Sequence, residues 1–355
     1  MTFSSDQRWL HRFAVLTAAA TLFLIWVGGL VTSHQAGLAV PDWPTTYGYN
    51  MFFFPISKWV GGIFYEHSHR LVASAVGLLT VILAVWLWLV DERRWMRWLG
   101  VVAVSAVILQ GVLGGLRVTQ LKDAIGIFHA ALAQLFFALV SAIALGTSRW
   151  WRSAESQKLS IYDAGGLRYS FAFVTGLILG QLFVGATMRH QHAGLAIPDF
   201  PAAYGKVWPA MDAASVARYN QARGEVTALQ PITSFQILLQ MVHRIMACLV
   251  LGSVAWAAGV AQRRLGWTSI LTRLSLAWLG LVLLQMTLGA ATIWTNKAAD
   301  LATAHVALGA LSLGTGALLA LMAARCSRTE PAPDPGAAAT STARDAQESR
   351  ARVSA

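Results

Sequence analysis

The chain has 355 residues, of which 56% are hydrophobic and only 12% are charged, and its mean hydropathy is +0.54. A soluble protein of this length carries about twice that charged fraction, so the composition argues against a soluble fold. The formal net charge of +11 comes largely from basic residues beside apolar segments. This pattern indicates membrane topology and does not point to nucleic-acid binding.

Eight apolar stretches are long enough to cross a bilayer, which takes roughly 20 residues at helical rise. We therefore predict an all-α integral membrane protein with eight transmembrane helices. The first stretch follows basic residues, as a signal peptide would, but it is too long for one and has a copy later in the chain, so we expect it to be retained. The predicted spans are residues 12–33, 66–90, 98–118, 124–147, 167–188, 235–260, 271–293 and 301–324.

Lysine and arginine near the helix ends predict the orientation, because cytoplasmic loops of membrane proteins are enriched in them. Such residues precede the first span, follow the last and fill alternate loops, which places both termini in the cytoplasm. The two cysteines, Cys248 and Cys326, lie in different spans and predict no disulfide. The basic residues on the predicted cytoplasmic side are Arg8, Arg12, Arg93, Arg94, Arg97, Arg149, Arg152, Lys158, Arg168, Arg263, Arg264, Arg273, Arg325 and Arg328.

A repeat divides the chain into two tandem four-helix units. The loop segment 36–48, which contains the run Ala-Gly-Leu-Ala-Val-Pro-Asp, returns at 193–205, 157 residues later. The His-Arg pairs that begin at His69 and His243 are 174 residues apart, so the second outer loop is 17 residues longer, and we expect a short surface helix at 212–226. Each unit has an even number of spans, so both copies enter the membrane in the same direction. A pseudo-twofold axis along the membrane normal then relates them.

This organisation predicts the domain boundaries. Residues 1–9 form a cytoplasmic N-terminus, 10–147 the N-terminal unit and 167–324 the C-terminal unit. A cytoplasmic linker, 148–166, joins the two units. The remaining 325–355 are rich in Ala, Pro, Ser and Thr without apolar periodicity, which is typical of a disordered cytoplasmic tail.

The repeat pairs four of the nine histidines: His69 corresponds to His243, and His129 to His305. All four lie near the outer ends of the even-numbered spans, so each unit offers two imidazoles at one depth from different helices. Two facing histidines are how a helix bundle holds a six-coordinate haem iron. Zinc suits the sites less, because thiolates and further histidines are missing nearby. The structural alternative is that each imidazole only hydrogen-bonds a neighbouring helix.

Polar neighbours of these histidines are the next candidates. Arg70 and Arg244 each follow a proposed ligand and could pair with a haem propionate or simply extend to the headgroups. Glu66 shares a helix face with His69 and could transfer protons, or it could cap the helix or pair with Arg70. The second unit has the amide Gln240 at this position, which cannot carry a proton. The difference favours chemistry in the first unit and electron relay in the second.

The remaining polar features are weaker candidates for contact with a cofactor. By default we interpret five further histidines as polar residues at the protein surface. In the two Pro-Asp-aromatic-Pro loops, an aspartate lies between prolines that fix the backbone. These loops either cover the outer mouths of the pockets or are turns alone. The histidines are His11, His34, His67, His190 and His192, and the aspartates are Asp42 and Asp199.

Together these features resemble the haem A synthase family, the COX15/CtaA group of membrane proteins. The resemblance covers residues 10–324. Each motif is modest alone, but their order and repetition make the combination specific. It rests on the repeated Ala-Gly-Leu-x-x-Pro-Asp loops and on Glu66, His69, Arg70, His129, His243, Arg244 and His305.

The resemblance implies oxidation of the C8 methyl group of haem O to the formyl group of haem A, which terminal oxidases use. It implies that His69 and His129 hold the iron of the substrate haem O, that His243 and His305 ligate a haem b, and that Glu66 is the catalytic carboxylate. Haem O synthase and terminal oxidase assembly factors are the implied protein partners. Some members of the family carry an outer-loop cysteine pair linked to electron handling, and this chain has no cysteine in those loops.

Two other functions remain open at this stage. A bis-histidine di-haem electron-transfer protein explains the four histidines but not the difference between Glu66 and Gln240. A parallel-repeat transporter predicts interrupted helices and polar residues at the midplane. No Arg- and Ser-rich extension precedes the first span, which favours a bacterial cytoplasmic (inner) membrane. The sequence leaves open the electron partner, the source of the inserted oxygen and the oligomeric state, a homo-oligomer included.

Overall fold

Helices make up most of the computed structural model, which describes residues 5–153, 161–226 and 231–326. Eight of the described helices are long and apolar enough to cross a membrane, as predicted, and the described residues contain no β-strand. These eight are α1 (Ser5–Ser33), α2 (Gly62–Val90), α3 (Arg94–Gln120), α4 (Asp123–Thr147), α6 (Ile161–His190), α8 (Ser234–Leu265), α9 (Ile270–Trp294) and α10 (Ala299–Cys326). Two shorter helices are α5 (Arg149–Arg152) and α7 (Ala213–Val226).

Most spans begin earlier or end later than their apolar stretches, because polar caps continue the helix. At the start of α8, Thr233 and Gln236 form a reciprocal capping box. At its other end, Arg263 and Arg264 lie in the last turn, where cations complement the helix dipole, and Gly266 follows with a φ of 71°. The surface helix predicted in the longer second loop is confirmed as α7.

The long helices pack as two rings of four. In the first ring α1 and α3 each contact α2 and α4, and in the second α6 and α9 each contact α8 and α10. Three further pairs, α1 with α10, α4 with α10 and α4 with α6, form a seam between the rings. This arrangement fits two tandem four-helix bundles related by a pseudo-twofold axis.

Close packing holds the rings together. Lipid is as apolar as leucine, so helices in a membrane associate mainly through van der Waals contact. In the second ring, buried Trp278 packs edge-on against Phe171 at 6.3 Å and donates its indole N–H to the carbonyl of Ser312 at 2.9 Å. At the seam, Phe137 packs against Gly314, where an added Cβ would lie 2.7 Å from the phenyl ring.

The end of the rings opposite the paired histidines is fixed by a buried ion-pair cluster. Asp91, in the turn between α2 and α3, is 1% exposed and accepts hydrogen bonds from Arg93 and Arg152 at 2.7 and 2.6 Å. Burial raises the pKa of the Asp91 carboxyl, but the two arginines outweigh it and lower the pKa overall. Arg93 also donates to the carbonyl of Gly146. The cluster therefore joins the turn to α4 and α5.

Parts of the predicted organisation fall outside the described residues. These parts are the first four residues, most of the tail predicted at 325–355, and 154–160 of the linker predicted at 148–166. The assignment of one pocket to a substrate haem and the other to a haem b stays a prediction.

Candidate functional site

The four paired histidines lie at one end of the molecule, which we call the histidine end. Each occupies one of the first ten positions of α2, α4, α8 or α10. The rings of His243 and His305 have centroids 6.4 Å apart and planes inclined by 62°. Two metal–imidazole bonds of about 2 Å each, added to the ring radii, separate two ring centres by about 6 Å. This pair therefore fits one metal ion held between two imidazoles.

His69 and His129 form the corresponding pair in the first ring, close enough to interact electrostatically. Across the described parts of the chain, no group of three or more His, Cys, Asp or Glu side chains could hold a metal ion. A structural zinc site needs about four protein ligands. Two imidazoles without further protein ligands suit a haem iron, whose porphyrin supplies the other donors.

A glycine on the neighbouring helix faces each of the four imidazoles. An added Cβ would lie 3.0 to 3.4 Å from the ring Cε1, inside the optimal carbon–carbon separation of about 3.5 to 4 Å. Glycine thus forms a notch that receives the ring. The notches are Gly28 for His69 (3.0 Å), Gly114 for His129 (3.4 Å), Gly185 for His243 (3.2 Å) and Gly289 for His305 (3.1 Å).

A glutamine one turn before the glycine supports three of the four histidines. In each case the side-chain amide donates to the backbone carbonyl of the histidine. At the fourth notch Leu24 takes the place of the glutamine, so the side-chain support of His69 differs from the others. The supporting bonds run from Gln110 to His129 (3.1 Å), from Gln181 to His243 (3.0 Å) and from Gln285 to His305 (2.8 Å).

The ring nitrogens of the four histidines have different partners, and Nε2 of His243 lies 3.3 Å from the side-chain amide nitrogen of Gln181. His305 Nδ1 is 3.0 Å from the carbonyl oxygen of Gln285. As a donor to that carbonyl, Nδ1 leaves Nε2 as the basic nitrogen, which is the usual arrangement of a metal-bound histidine. The Nδ1 atoms of His69, His129 and His243 are buried without a hydrogen-bond partner. A buried polar atom without a partner costs free energy, so Nδ1 of these three rings is not satisfied in the way that Nδ1 of His305 is.

Glu66 and Gln240 both fasten the loop that precedes their helix. Glu66 is 4% exposed, and its Oε2 accepts from the backbone N–H of Val40 at 2.9 Å. Gln240 is 3% exposed, and its Oε1 accepts from the corresponding N–H of Ile197 at 2.6 Å. Glu66 additionally forms an ion pair with Arg70 at 2.8 Å. The carboxylate thus has a structural role as well as the predicted catalytic one.

The arginines predicted to meet haem propionates bind the outer loops. Arg70 donates to the carbonyls of Asp42, Thr45 and Val40, at 2.7 to 2.9 Å. Arg244 donates to the carbonyls of Ala202 and Asp199 at 2.8 and 2.7 Å. A role toward propionates stays a prediction, and fixing the loops is the role that the contacts support.

The aspartates of the Pro-Asp-aromatic-Pro loops stabilise their own turns. Asp42 accepts from the backbone N–H groups of Tyr47 and Gly48 at 2.7 and 2.9 Å. Burial raises the pKa of the Asp42 carboxyl, but these bonds and one from Thr45 lower it overall. Asp199 makes the same two backbone contacts in the second loop. Turn structure therefore accounts for both carboxylates.

The other histidines have individual surroundings. His11 lies at the opposite end of the rings, within 3.1 Å of the carbonyl of Ala144. His34 stacks on Tyr65 with centroids 4.0 Å apart. His67 is fully buried between loop aromatics, away from the predicted pocket. His190 differs, because its ring packs on Gly126, one helical turn before His129.

Sequence reasoning missed several charged groups at the histidine end. Arg117 of α3 interacts electrostatically with both His69 and His129, and Arg189 of α6 interacts with His305. The available signal was the cost of an arginine near an apolar span. Neither arginine has a counterpart in the other unit, so comparing the repeats did not select them.

The sequence matches the COX15-CtaA family, described as a cytochrome oxidase assembly protein, over residues 11–317. The chain is 28% identical over 330 residues to the heme A synthase of Geobacillus kaustophilus strain HTA426, covering 91% of this chain and 94% of the relative. It is 26% identical to the heme A synthase of Geobacillus thermodenitrificans, covering 95% and 98%. It is also 26% identical to that of Beijerinckia indica, covering 80% and 83%.

Proposed function

The chain belongs to the COX15-CtaA family of cytochrome oxidase assembly proteins, and on this premise we propose that it is a haem A synthase. The reaction oxidises the C8 methyl group of haem O to the formyl group of haem A, for use in terminal oxidases. The observation that carries the proposal is the repeated pair of notched histidines, with a buried carboxylate beside only one pair.

In this proposal, His69 and His129 hold the iron of the substrate haem O. His243 and His305 hold a resident haem b, and their ring separation of 6.4 Å supports the assignment of one iron to this pair. A bound haem b would supply one-electron redox chemistry beside the substrate pocket. Both histidines of this pair have a glutamine support, whereas only His129 of the first pair has one, which suits a more firmly held ligand in the second pocket.

Glu66 is the proposed catalytic carboxylate. Converting a methyl group to a formyl group removes four electrons, which must pass to an oxidant from outside this chain. Protons move at the reacting carbon and oxygen, so a nearby carboxylate can assist by accepting or returning them. A carboxylate has about four lone-pair sites, and Val40 and Arg70 use two of those on Glu66. Glu66 can therefore accept a proton while it holds the loop. Gln240 holds the second loop in the same way but cannot take up a proton.

The proposal extends to location and partners. We place the chain as a multi-pass protein in a bacterial cytoplasmic (inner) membrane, with both termini in the cytoplasm and the histidine end facing outward. This orientation rests on the basic residues of the alternate loops. Haem O and haem A are the small-molecule partners. Haem O synthase and assembly factors of terminal oxidases are the proposed protein partners.

Pigment extraction tests the function. The protein is expressed in a host that makes haem O but no haem A, and the extracted haems are separated by chromatography. Haem A is expected with the wild-type chain and is expected to disappear with His69→Ala or His129→Ala. His34→Ala is the matched control, because His34 is exposed, stacks on Tyr65 and belongs to neither histidine pair. Accumulation of haem B alone by the wild type would contradict the proposal.

One observation favours a second candidate, a bis-histidine electron-transfer protein. Glu66 and Gln240 hold equivalent loop N–H groups, so the carboxylate could be a variant of a structural residue. Glu66→Gln separates the two functions, because the amide can keep the bond to Val40 while losing its capacity to take up a proton. Loss of haem A production with haem b retained supports the enzyme. Full haem A production would remove Glu66 from the chemistry.

A further inference from the structure

Three basic side chains meet at the histidine end of the seam. Arg117 comes from α3 of the first ring, Arg189 from the end of α6 in the second ring, and Lys297 from the turn between α9 and α10. Arg117 lies over Gly37, just beyond α1, and Arg189 donates to Gly29 and Ser33 near the end of α1, so both guanidinium groups lie beside the same end of that helix. The positive charge of Arg117 acts on Arg189, and that of Arg189 acts on Lys297. We call these three residues the seam cations.

Among the residues that the structure describes, the seam cations have no carboxylate within ion-pair distance. The ion pairs of the described residues involve Glu66 or Asp91, and none includes a seam cation. Glu66 and Asp123 act on Arg117 only from farther away. Clustered like charges in a partly dehydrated site are unfavourable unless an anion joins them. The cluster therefore calls for an anionic ligand.

The contacts of Arg189 point to the same conclusion. One terminal nitrogen donates to the carbonyl of Gly29 at 2.8 Å and to the hydroxyl of Ser33 at 2.9 Å. Its Nε is buried without a partner. Burial and the neighbouring Arg189 lower the pKa of Lys297. A carboxylate at this point would take up the unused donors and offset the mutual repulsion.

The seam cations border both histidine pairs. The guanidinium of Arg117 lies over Gly37 of the first loop, where an added Cβ would be 2.7 Å from Nη2, and its charge acts on both His69 and His129. On the other side, the charge of Arg189 acts on His305. A ligand that reached from either pair toward the seam would meet these cations.

We propose that the seam cations form a carboxylate site for haem propionates, with Arg117 serving the substrate haem and Arg189 with Lys297 serving the resident haem. The inference rests on the proposed function, since that function supplies the ligand. Haem carries its propionates at one edge, and a guanidinium pairs well with carboxylate. Arg70 and Arg244 each hold two or more loop carbonyls with both terminal nitrogens. Arg189 uses only one terminal nitrogen on the protein, which leaves its other donors for a carboxylate.

The test compares haem with its dimethyl ester, in which the propionate charges are removed. Full-length protein from a haem-deficient host is titrated with each form, and binding is followed by absorbance. The wild-type protein is expected to bind the free acid more tightly than the ester. Arg189→Gln or Lys297→Gln is expected to reduce this ratio of affinities by about 10- to 100-fold, which corresponds to the loss of one hydrogen bond to a charged group. The same comparison with haem O tests Arg117→Gln.

Lys122→Gln is the matched control, because Lys122 occupies the repeat position of Lys297 but is exposed. Its preference for the acid should equal that of wild type. Arg117→Lys and Arg189→Lys keep the charge and should retain most of the preference, which separates charge recognition from misfolding. Equal binding of acid and ester by wild type, or an unchanged preference in all the glutamine variants, would overturn the inference while leaving the function intact. Failure of wild type to bind either haem would instead count against the proposed function.

Discussion

Gly289→Ala is the most direct probe of the notched imidazoles. The new methyl group would lie 3.1 Å from Cε1 of His305, against an optimal carbon–carbon separation of about 3.5 to 4 Å. The ring or α9 must therefore move by about 0.5 Å. Metal–ligand bonds tolerate only about 0.2 Å, so His305 cannot keep its position on an iron without straining its surroundings.

Overpacking of this kind costs about 1 to 3 kcal/mol, which corresponds to a loss of roughly 5- to 150-fold in affinity for haem b. Haem b per protein is measured from the absorbance of the purified variant, and its rate of loss from transfer to a haem scavenger. Gly280→Ala is the matched control, since Gly280 lies in the same helix with open space where its Cβ would be. Equal haem retention by the two variants would refute the notch argument.

Three further expectations concern other parts of the molecule. Asp91→Asn should lower the stability of the detergent-solubilised protein by about 3 kcal/mol near neutral pH, as seen from its melting temperature, because it breaks a buried ion-pair cluster. The pKa of Asp91 in the folded protein is lowered from its ordinary value of 3.8. The stabilisation is therefore complete above the ordinary pKa and is lost as the pH falls through the pKa of the folded state. The difference in stability between the variant and wild type should disappear in strong acid. Gln181→Leu places a leucine where the first ring has Leu24 beside His69, and it should increase the rate at which haem b is lost from the second pocket. An unchanged rate would mean that the hydrogen bond from Gln181 to His243 is dispensable. Arg244→Gln should expose the second outer loop to proteases, whereas Arg218→Gln, at an exposed position, should not.

The sequence predicted the eight long helices, and it matched the histidines of one unit with those of the other. Apolar length located the eight spans. The repeat matched His69 with His243 and His129 with His305, and each of these rings lies against a glycine of the neighbouring helix. It also predicted α7 from the extra length of the second loop.

The contacts of the arginines and of Glu66 were harder to predict. The hydrophobic pattern places Arg70 near the membrane–water interface. It does not reveal that the guanidinium of Arg70 lies 2.7 Å from a loop carbonyl oxygen. Glu66 is charged and Gln240 is neutral, so we predicted different roles for them. In the structure, however, each side chain accepts a hydrogen bond from a backbone N–H of the preceding loop. Contacts of this kind depend on how a loop returns to its helix, and local sequence does not encode that path.

The notches and the seam were missed for a related reason. The repeated Gln-x-x-x-Gly segments that end at Gly114 and Gly289 were visible as similarity, but a glycine's role depends on the residue opposite it. Arg117 and Arg189 meet only where two rings touch. Predicting that meeting requires the arrangement of helices from both units, which tandem repetition alone leaves undetermined.

The tight seam has a consequence for dividing the molecule. Each ring contains a complete histidine pair. A chain cut in the segment between the rings would therefore yield two fragments, each with one histidine pair. Phe137 of one fragment would still need the groove beside Gly314 of the other, and Arg189 would still need the carbonyl of Gly29. The halves should therefore behave as complementary fragments that reassemble when made together, and co-expression of separate halves could label or replace one pocket at a time.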